Sequence, residues 1–483
     1  MKIIGKIFFF MIMSVIAVAC NDNTDFSTDI NHRLTFSSDT IVFDTLFTTI
    51  GSSRSGIMVY NHNDKDLRIK NVELKSGGKS GFRVMVDGQY GTVMQDIEIR
   101  SKDSIYVFAE LTPPENGATT PLMIKDTLNF NLESGLSQQL LLLAYGRDVK
   151  FMRGIIVNSD SLITPGHYVV YDSLVVAEGV KLSIDAGATL YFHDKVPMTV
   201  RGTLSAIGTK ESPVVFRGDR TDKMFSYLPY DRIPGQWGGI VFASTSNANA
   251  MEYCDIHSAD YGIKMEPGDT TVQRLTMNAS RLENFYGHAL ELVQSHVDVT
   301  NTLIANAGGN CVKLVGGNVN FIHCTIANFF VYKERDVALT LHNSFGTTLA
   351  PLYAANFLNC IITGIRNDEV MGYLKDLEGI PNGRNYRFEN SLVNTIAPAD
   401  DENFVGVVFD KEDTPPFAKE HFKRIDHDVF LYDFHLTDVS SARSMGSEAF
   451  LDNEKLLYDK DGVLREVGAV DVGCYQFVIE TNN

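Results

Sequence analysis

The sequence predicts an all-β protein, an antiparallel β-sandwich followed by a parallel β-solenoid. Two observations carry the solenoid. The stretch from Asn284 to Asn328 writes one pattern twice, 22 residues apart: Gly287 recurs as Gly309, Leu290 as Val312, Leu292 as Leu314, Val297 as Val319 and Val299 as Phe321. Within each unit the apolar residues alternate, the period of a strand with one buried face. Short strands returning at a fixed period describe a chain that climbs one coil per repeat. The sandwich rests on a third observation, the clean alternation of segments such as Ser104-Ile105-Tyr106-Val107-Phe108 between polar turn clusters such as Asn61-His62-Asn63-Asp64-Lys65.

At 483 residues the chain exceeds one ordinary core, so more than one domain is expected. Apolar content of 44% and charged content of 21% are those of a folded protein. The formal net charge is −18 and no Lys/Arg cluster stands out, which argues against a nucleic-acid partner. It also disfavours a polyanionic glycan, unless calcium or a local basic groove intervenes.

Residues 1–20 read as an export signal. Lys2 and Lys6 precede the apolar run from Ile7 to Val18, which is shorter than the stretch of about 20 residues that spans a bilayer. The run closes on Ala17-Val18-Ala19-Cys20, which resembles a bacterial lipobox. That resemblance implies a lipidated Cys20, a membrane partner through the lipid anchor, and a place in the cell envelope, in the outer membrane and at its surface. Residues 21–26 follow as a polar tether.

Residues 27–149 hold around seven short alternating strands, the mark of an antiparallel β-sandwich. Val59-Tyr60-Asn61 before a turn, the extended Phe108-Ala109-Glu110-Leu111-Thr112-Pro113, and the closing Leu143-Ala144-Tyr145-Gly146 resemble immunoglobulin-like modules of exported bacterial proteins. The resemblance implies a spacer.

Residues 150–475 are assigned to the solenoid and 476–483 to a C-terminal tail. Gly202-Thr203-Leu204-Ser205-Ala206-Ile207-Gly208-Thr209, then Pro213-Val214-Val215-Phe216, resemble the opening coils of right-handed parallel β-helices of the pectate-lyase-like superfold. Gly468-Ala469-Val470-Asp471-Val472-Gly473-Cys474-Tyr475 resembles the end of such chains. Ile362 and Leu392 mark looser later coils. Roughly ten coils at about 4.8 Å each make a rod of order 50 Å. Five further cysteines show no disulfide framework, and the offset of 36 between Cys324 and Cys360 reads as stacked, buried thiols.

The resemblance implies calcium-binding aspartates with a basic residue in lyases, or clustered aspartates with Gly-His-Gly in hydrolases. Here Gly287-His288-Ala289 lacks the second glycine, and Asp400-Asp401 falls in a polar run that reads as a loop. Acid–base glycosidic cleavage needs two carboxyl groups at a fixed separation, and no such pair is evident. Hence no catalytic residue is assigned, and His288 reads as a turn residue. Asp255, His257 and Asp260 crowd one coil as weak metal ligands or as a polar outer face. No metal site or cofactor is assigned, with calcium alone left open. The asparagines 284, 306 and 328 read as a ladder at a bend.

The candidate ligand-binding residues are Asp219, Asp222, Tyr227, Tyr230, Asp231 and Trp237, in an insertion that mixes flat aromatic rings with carboxylates. For Trp237 the flanking glycines favour packing over binding. The expectation is a lipid-anchored, non-catalytic β-helix that presents a long face to an extracellular polysaccharide or an envelope partner. Its rivals are a polysaccharide lyase or glycoside hydrolase with an unfamiliar site, and a purely structural or adhesive surface component.

Overall fold

The computed structural model describes residues 25–118, 120–376, 383–396, 401–451 and 453–479. Cys20, Asp400, and the signal and most of the tether lie outside them. Among the described residues no helix is long and apolar enough to cross a membrane. The chain divides into two compact units between Asp148 and Val149.

The first unit is a sandwich of two five-stranded sheets. Their inner faces supply one core from Leu34 to Ala144, every second residue of strands such as Ser104–Leu111 turning inward. The sheets are antiparallel, as the sequence predicts, with one parallel pair among them. Ser137–Arg147 runs parallel to Thr40–Phe47, so an early and a late strand lie side by side in the same direction. Short alternation signals reveal a strand's buried face but not its neighbour's direction, and ten strands form where about seven are legible.

The second unit is a parallel β-helix of 26 strands. Three faces make up its wall. Face 1 includes Cys254–His257, Arg281–Phe285, Leu303–Ala307, Thr325–Asn328 and Ile361–Gly364. Face 2 includes Gly239–Phe242, Ile263–Met265, the first halves of Leu290–Thr300 and Val312–Ile322, then Leu339–His342 and Val370–Tyr373. Face 3 includes Asn249–Glu252, Leu275–Asn278, the second halves of those two long strands, and Leu352–Leu358. The register pairs Leu290 with Val312, Leu292 with Leu314, Val297 with Val319 and Val299 with Phe321, as the 22-residue repeat requires.

Two devices keep the coils in step. Inside face 3, Phe321, Phe357, Phe388 and Phe404 stack at 4.8–5.1 Å through the coils whose sequence pattern loosens. At the turn from face 3 to face 1, Tyr253, Ala279, Asn301, His323, Asn359 and Asn390 each take a left-handed φ. Side chains that bond locally tolerate that conformation best, and Asn359 Nδ2 meets His323 Nε2 at 3.0 Å. After each comes a small donor: Cys254, Ser280, Thr302, Cys324, Cys360 and Ser391 bond the carbonyl two residues back. The five cysteines of this unit are free and buried. Of the asparagines 284, 306 and 328, expected to satisfy backbone groups at a bend, two do so. Asn306 and Asn328 bond backbone groups, with no bond joining the asparagines to each other.

Coil pairing ends at Val408–Phe409, short of the residue 475 expected. The outward residues of face 1 explain where the chain goes instead. Leu303, Ala305, Ala327 and Ile361 are apolar and are covered by Phe422, Phe434, Leu436, Ala442, Val472, Cys474 and Tyr475. Residues 417–477 thus form a strap, opening with the hairpin Phe422–Asp426 and Leu431–Leu436. Gln476 and Phe477 belong to it as well, their amides bonding Asp459 and Asp471.

Candidate functional site

The sequence-selected insertion does not assemble one binding site. Asp219 is taken by His193 Nδ1 at 2.7 Å. Asp222 holds Arg220 through both oxygens, and that guanidinium lies 3.7 Å from the Tyr230 ring centre. Trp237 is fully buried, stacked 4.5 Å from Phe192, with its Nε1 donating to the His257 carbonyl. It is removed from the ligand-facing set, because a ring inside the coil has no face left to offer. Tyr227 alone is wide open, 53% exposed beside Phe225.

Asp231 instead reaches the crowded coil on face 1. His257 Nε2 lies 2.8 Å from Asp231 and its Nδ1 lies 3.0 Å from Asp255. Arg217 also pairs with Asp231, and Arg281 bridges Asp255 and Glu283. Burial works to discharge the imidazole, yet the two carboxylates push His257 up to about 9. Burial likewise opposes ionisation of Asp231, but His257 and Arg217 hold it down at about 2. Every charge here has a partner, so the cluster fastens the insertion to face 1. Asp260 is separately paired with Lys195 at 2.7 Å. Among the described residues no group of His, Cys, Asp and Glu converges on a metal position.

Face 2 is different. Its outward column runs Lys264, Glu291, Lys313, Thr340 and Met371 in lateral register, and the next column pairs His342 with Tyr373. Two hollows of about 460 and 550 Å³ lie over it. Lys313 lines one and Glu291 the other, and they meet at 2.9 Å. The first is walled by His288, Asn310, Asp336, Arg366 and Tyr373, the second by Glu266, Val293 and Phe345. His342 and Tyr373 stack at 4.7 Å and 14°, with Tyr373 51% exposed.

The repeated glycines shape this edge. A Cβ on Gly287 would stand 2.6 Å from the Tyr261 ring, and one on Gly309 would stand 2.4 Å from His288 Nδ1. Each glycine therefore seats a ring of the preceding coil. His288 Nδ1 accepts the Asn310 N–H at 2.9 Å, which leaves Nε2 to carry the imidazole proton. Burial and then Lys313 lower the pKa of His288 and of His342, so both rings are neutral at pH 7.

Glu369, like His342 and Tyr373, is not marked by any motif in the sequence. Fully buried, it accepts from Arg335 at 2.5 and 3.0 Å and from the backbone amides of Ala338 and Arg366. It thereby fixes the 335–338 segment and Arg366, both of which wall the groove. Nothing in its local sequence, Asn367-Asp368-Glu369, separates it from a solvated turn.

No protein-family model matches the sequence, and no curated protein matches it either. Among solved structures it is similar to the catalytic unit of a GH87 α-1,3-glucanase from Streptomyces thermodiastaticus, at 9% identity and a TM-score of 0.29, over 73% of this chain and 87% of that one. A family 123 glycoside hydrolase from Clostridium perfringens shares 7% identity at a TM-score of 0.18, over 25% of this chain and 30% of that one. The PapD-like domain 7 of human CEP192 shares 12% identity at 0.18, over 27% and 96%. Likenesses this distant carry no argument for the activity of this chain.

Proposed function

We propose that the protein is an exported, lipid-anchored glycan-binding β-helix that holds an extended saccharide along face 2 without cleaving it. The carrying observation is the open groove in which the His342–Tyr373 stack stands beside the Lys264, Glu291, Lys313 and Thr340 ladder. Aromatic faces pack against the C–H face of a sugar ring, and a few fixed polar groups read its hydroxyls. The ladder repeats at about 4.8 Å per coil, which suits a chain lying along the helix.

Two features support binding over cleavage. Glu291 is tied to Lys313, and the Nδ1 lone pair of His288 is occupied by a backbone amide, so neither is set as a free base. The lipid anchor rests on Ala17-Val18-Ala19-Cys20, with the immunoglobulin-like sandwich between anchor and helix along the chain.

A glycan array probed with the protein tests the reading. Binding that falls about tenfold in Tyr373→Ala supports it, and absence of binding across the array overturns it. Release of new reducing or unsaturated ends from a bound glycan would replace it with the enzymatic alternative. Labelling by a radioactive fatty acid, lost in Cys20→Ser, tests the anchor.

A further inference from the structure

One face of the sandwich carries a set of exposed rings. In the sheet formed by Ser55–Tyr60, Ser104–Leu111, Phe82–Val86 and Gln89–Gly91, residues Gly56, Phe108, Met85 and Tyr90 stand in one lateral row. Tyr106 lies in the next row, opposite Met58. Tyr106 and Tyr90 are 57% and 55% exposed, whereas the alternate residues Ile105, Val107 and Ala109 form the core. A solvent-facing sheet surface ordinarily carries polar residues at these positions.

The rings are held in place. Phe108 leans across the neighbouring strand, where a Cβ on Gly56 would come within 2.5 Å of it, so the glycine gives the ring its seat. Tyr106 and Phe108 are nearly parallel, 10° apart with centroids at 5.4 Å. A polar rim adjoins them. Glu110 accepts from Tyr90 Oη at 2.6 Å and lies 3.3 Å from Arg83 and 4.0 Å from Arg54. Arg54 also stands 6.0 Å from the centre of the Phe108 ring.

We propose that this surface is a second saccharide site, for a neutral glycan. Nearly parallel, pre-seated rings suit the flat C–H faces of successive pyranose units. The rim offers guanidinium donors and a carboxylate acceptor at fixed spacing, the pairing that recognises vicinal hydroxyls. Charge decides the class of sugar: Arg54 and Arg83 both face Glu110, and the chain as a whole carries a formal net charge of −18, which disfavours an acidic chain.

The test titrates neutral glucans, mannan and xylan, and the acidic polygalacturonate and chondroitin sulfate, into the full chain carrying Tyr373→Ala. That background weakens the groove's contribution about tenfold. A neutral glycan should still bind, about tenfold more weakly once Tyr106→Ala or Arg54→Gln is added, with an unchanged unfolding midpoint because both side chains are exposed. Equal affinity in those variants, binding confined to acidic chains, or no residual binding in the Tyr373→Ala background would overturn the proposal. Loss of the groove reading alone, with Tyr373→Ala inert, would leave the Tyr106 effect standing.

Discussion

Faces 1 and 2 are built by the same coils, yet a strap covers one and hollows remain over the other. On face 1 the later coils turn Leu303, Ala305, Ala327 and Ile361 outward, and the strap covers them. On face 2 the equivalent outward column is Lys264, Glu291, Lys313 and Thr340; Ala350 packs on Val293 and Val315 beside it, yet two hollows remain over the column. A coil fixes three faces at once, but the outward residues decide which face acquires a cover. The rings differ in role accordingly: Phe422 and Phe434 pack edge to face within the strap, whereas Tyr373 is offered to solvent.

The largest expected effect breaks the sealed side. Phe434→Ala should cost about 3–5 kcal/mol of stability, read as a drop in the urea unfolding midpoint, because it opens a cavity between strap and face 1. Glu369→Gln comes next, at about 3 kcal/mol, since it leaves Arg335 buried without its charge partner. The same change should also weaken glycan binding by releasing Arg366, which joins stability to the open face.

A pH series sharpens the contrast. His257 is raised to about 9 in the folded protein from an ordinary value near 6.5, so its stabilisation is fully present below about 6.5 and lost as pH rises through about 9. His435, which burial opposes but Asp433 and Asp461 hold up to about 9, acts in the same window. The stability gap between wild type and His257→Gln should therefore shrink by about 1–3 kcal/mol between pH 6 and 9.5 in urea titrations. Asp231, held at about 2, adds stability above about 4 that is lost as pH falls through 2.

The smallest folding effect belongs to the open side. Tyr373→Ala should move stability by no more than about 0.5 kcal/mol, while lowering glycan affinity about tenfold. A large loss of stability in that variant would show that the ring is packing, and the distinction between the faces would fail.

The coil is written in the order of the residues. The spacing of Gly287 and Gly309, and of Leu290 and Val312, is enforced by stacking identical turns, and stacking leaves a period. The order of residues also exposes the sandwich's buried faces, the turn at Asn301 and Asn359 being less visible because Tyr, Ala and His share that column. Where the surface is usable depends on contacts between distant residues. Trp237 and the acids of residues 219–231 look ligand-like in one dimension, but folding turns the ring inward and gives Asp219, Asp222 and Asp231 a partner each. His342 and Tyr373 lie 31 positions apart and meet only because two coils place them in register. Glu369 reaches Arg335 across a similar gap, and the strap finds Ile361 from more than 60 residues away. Local pattern reports what each residue needs; which distant residue supplies it is settled by the fold.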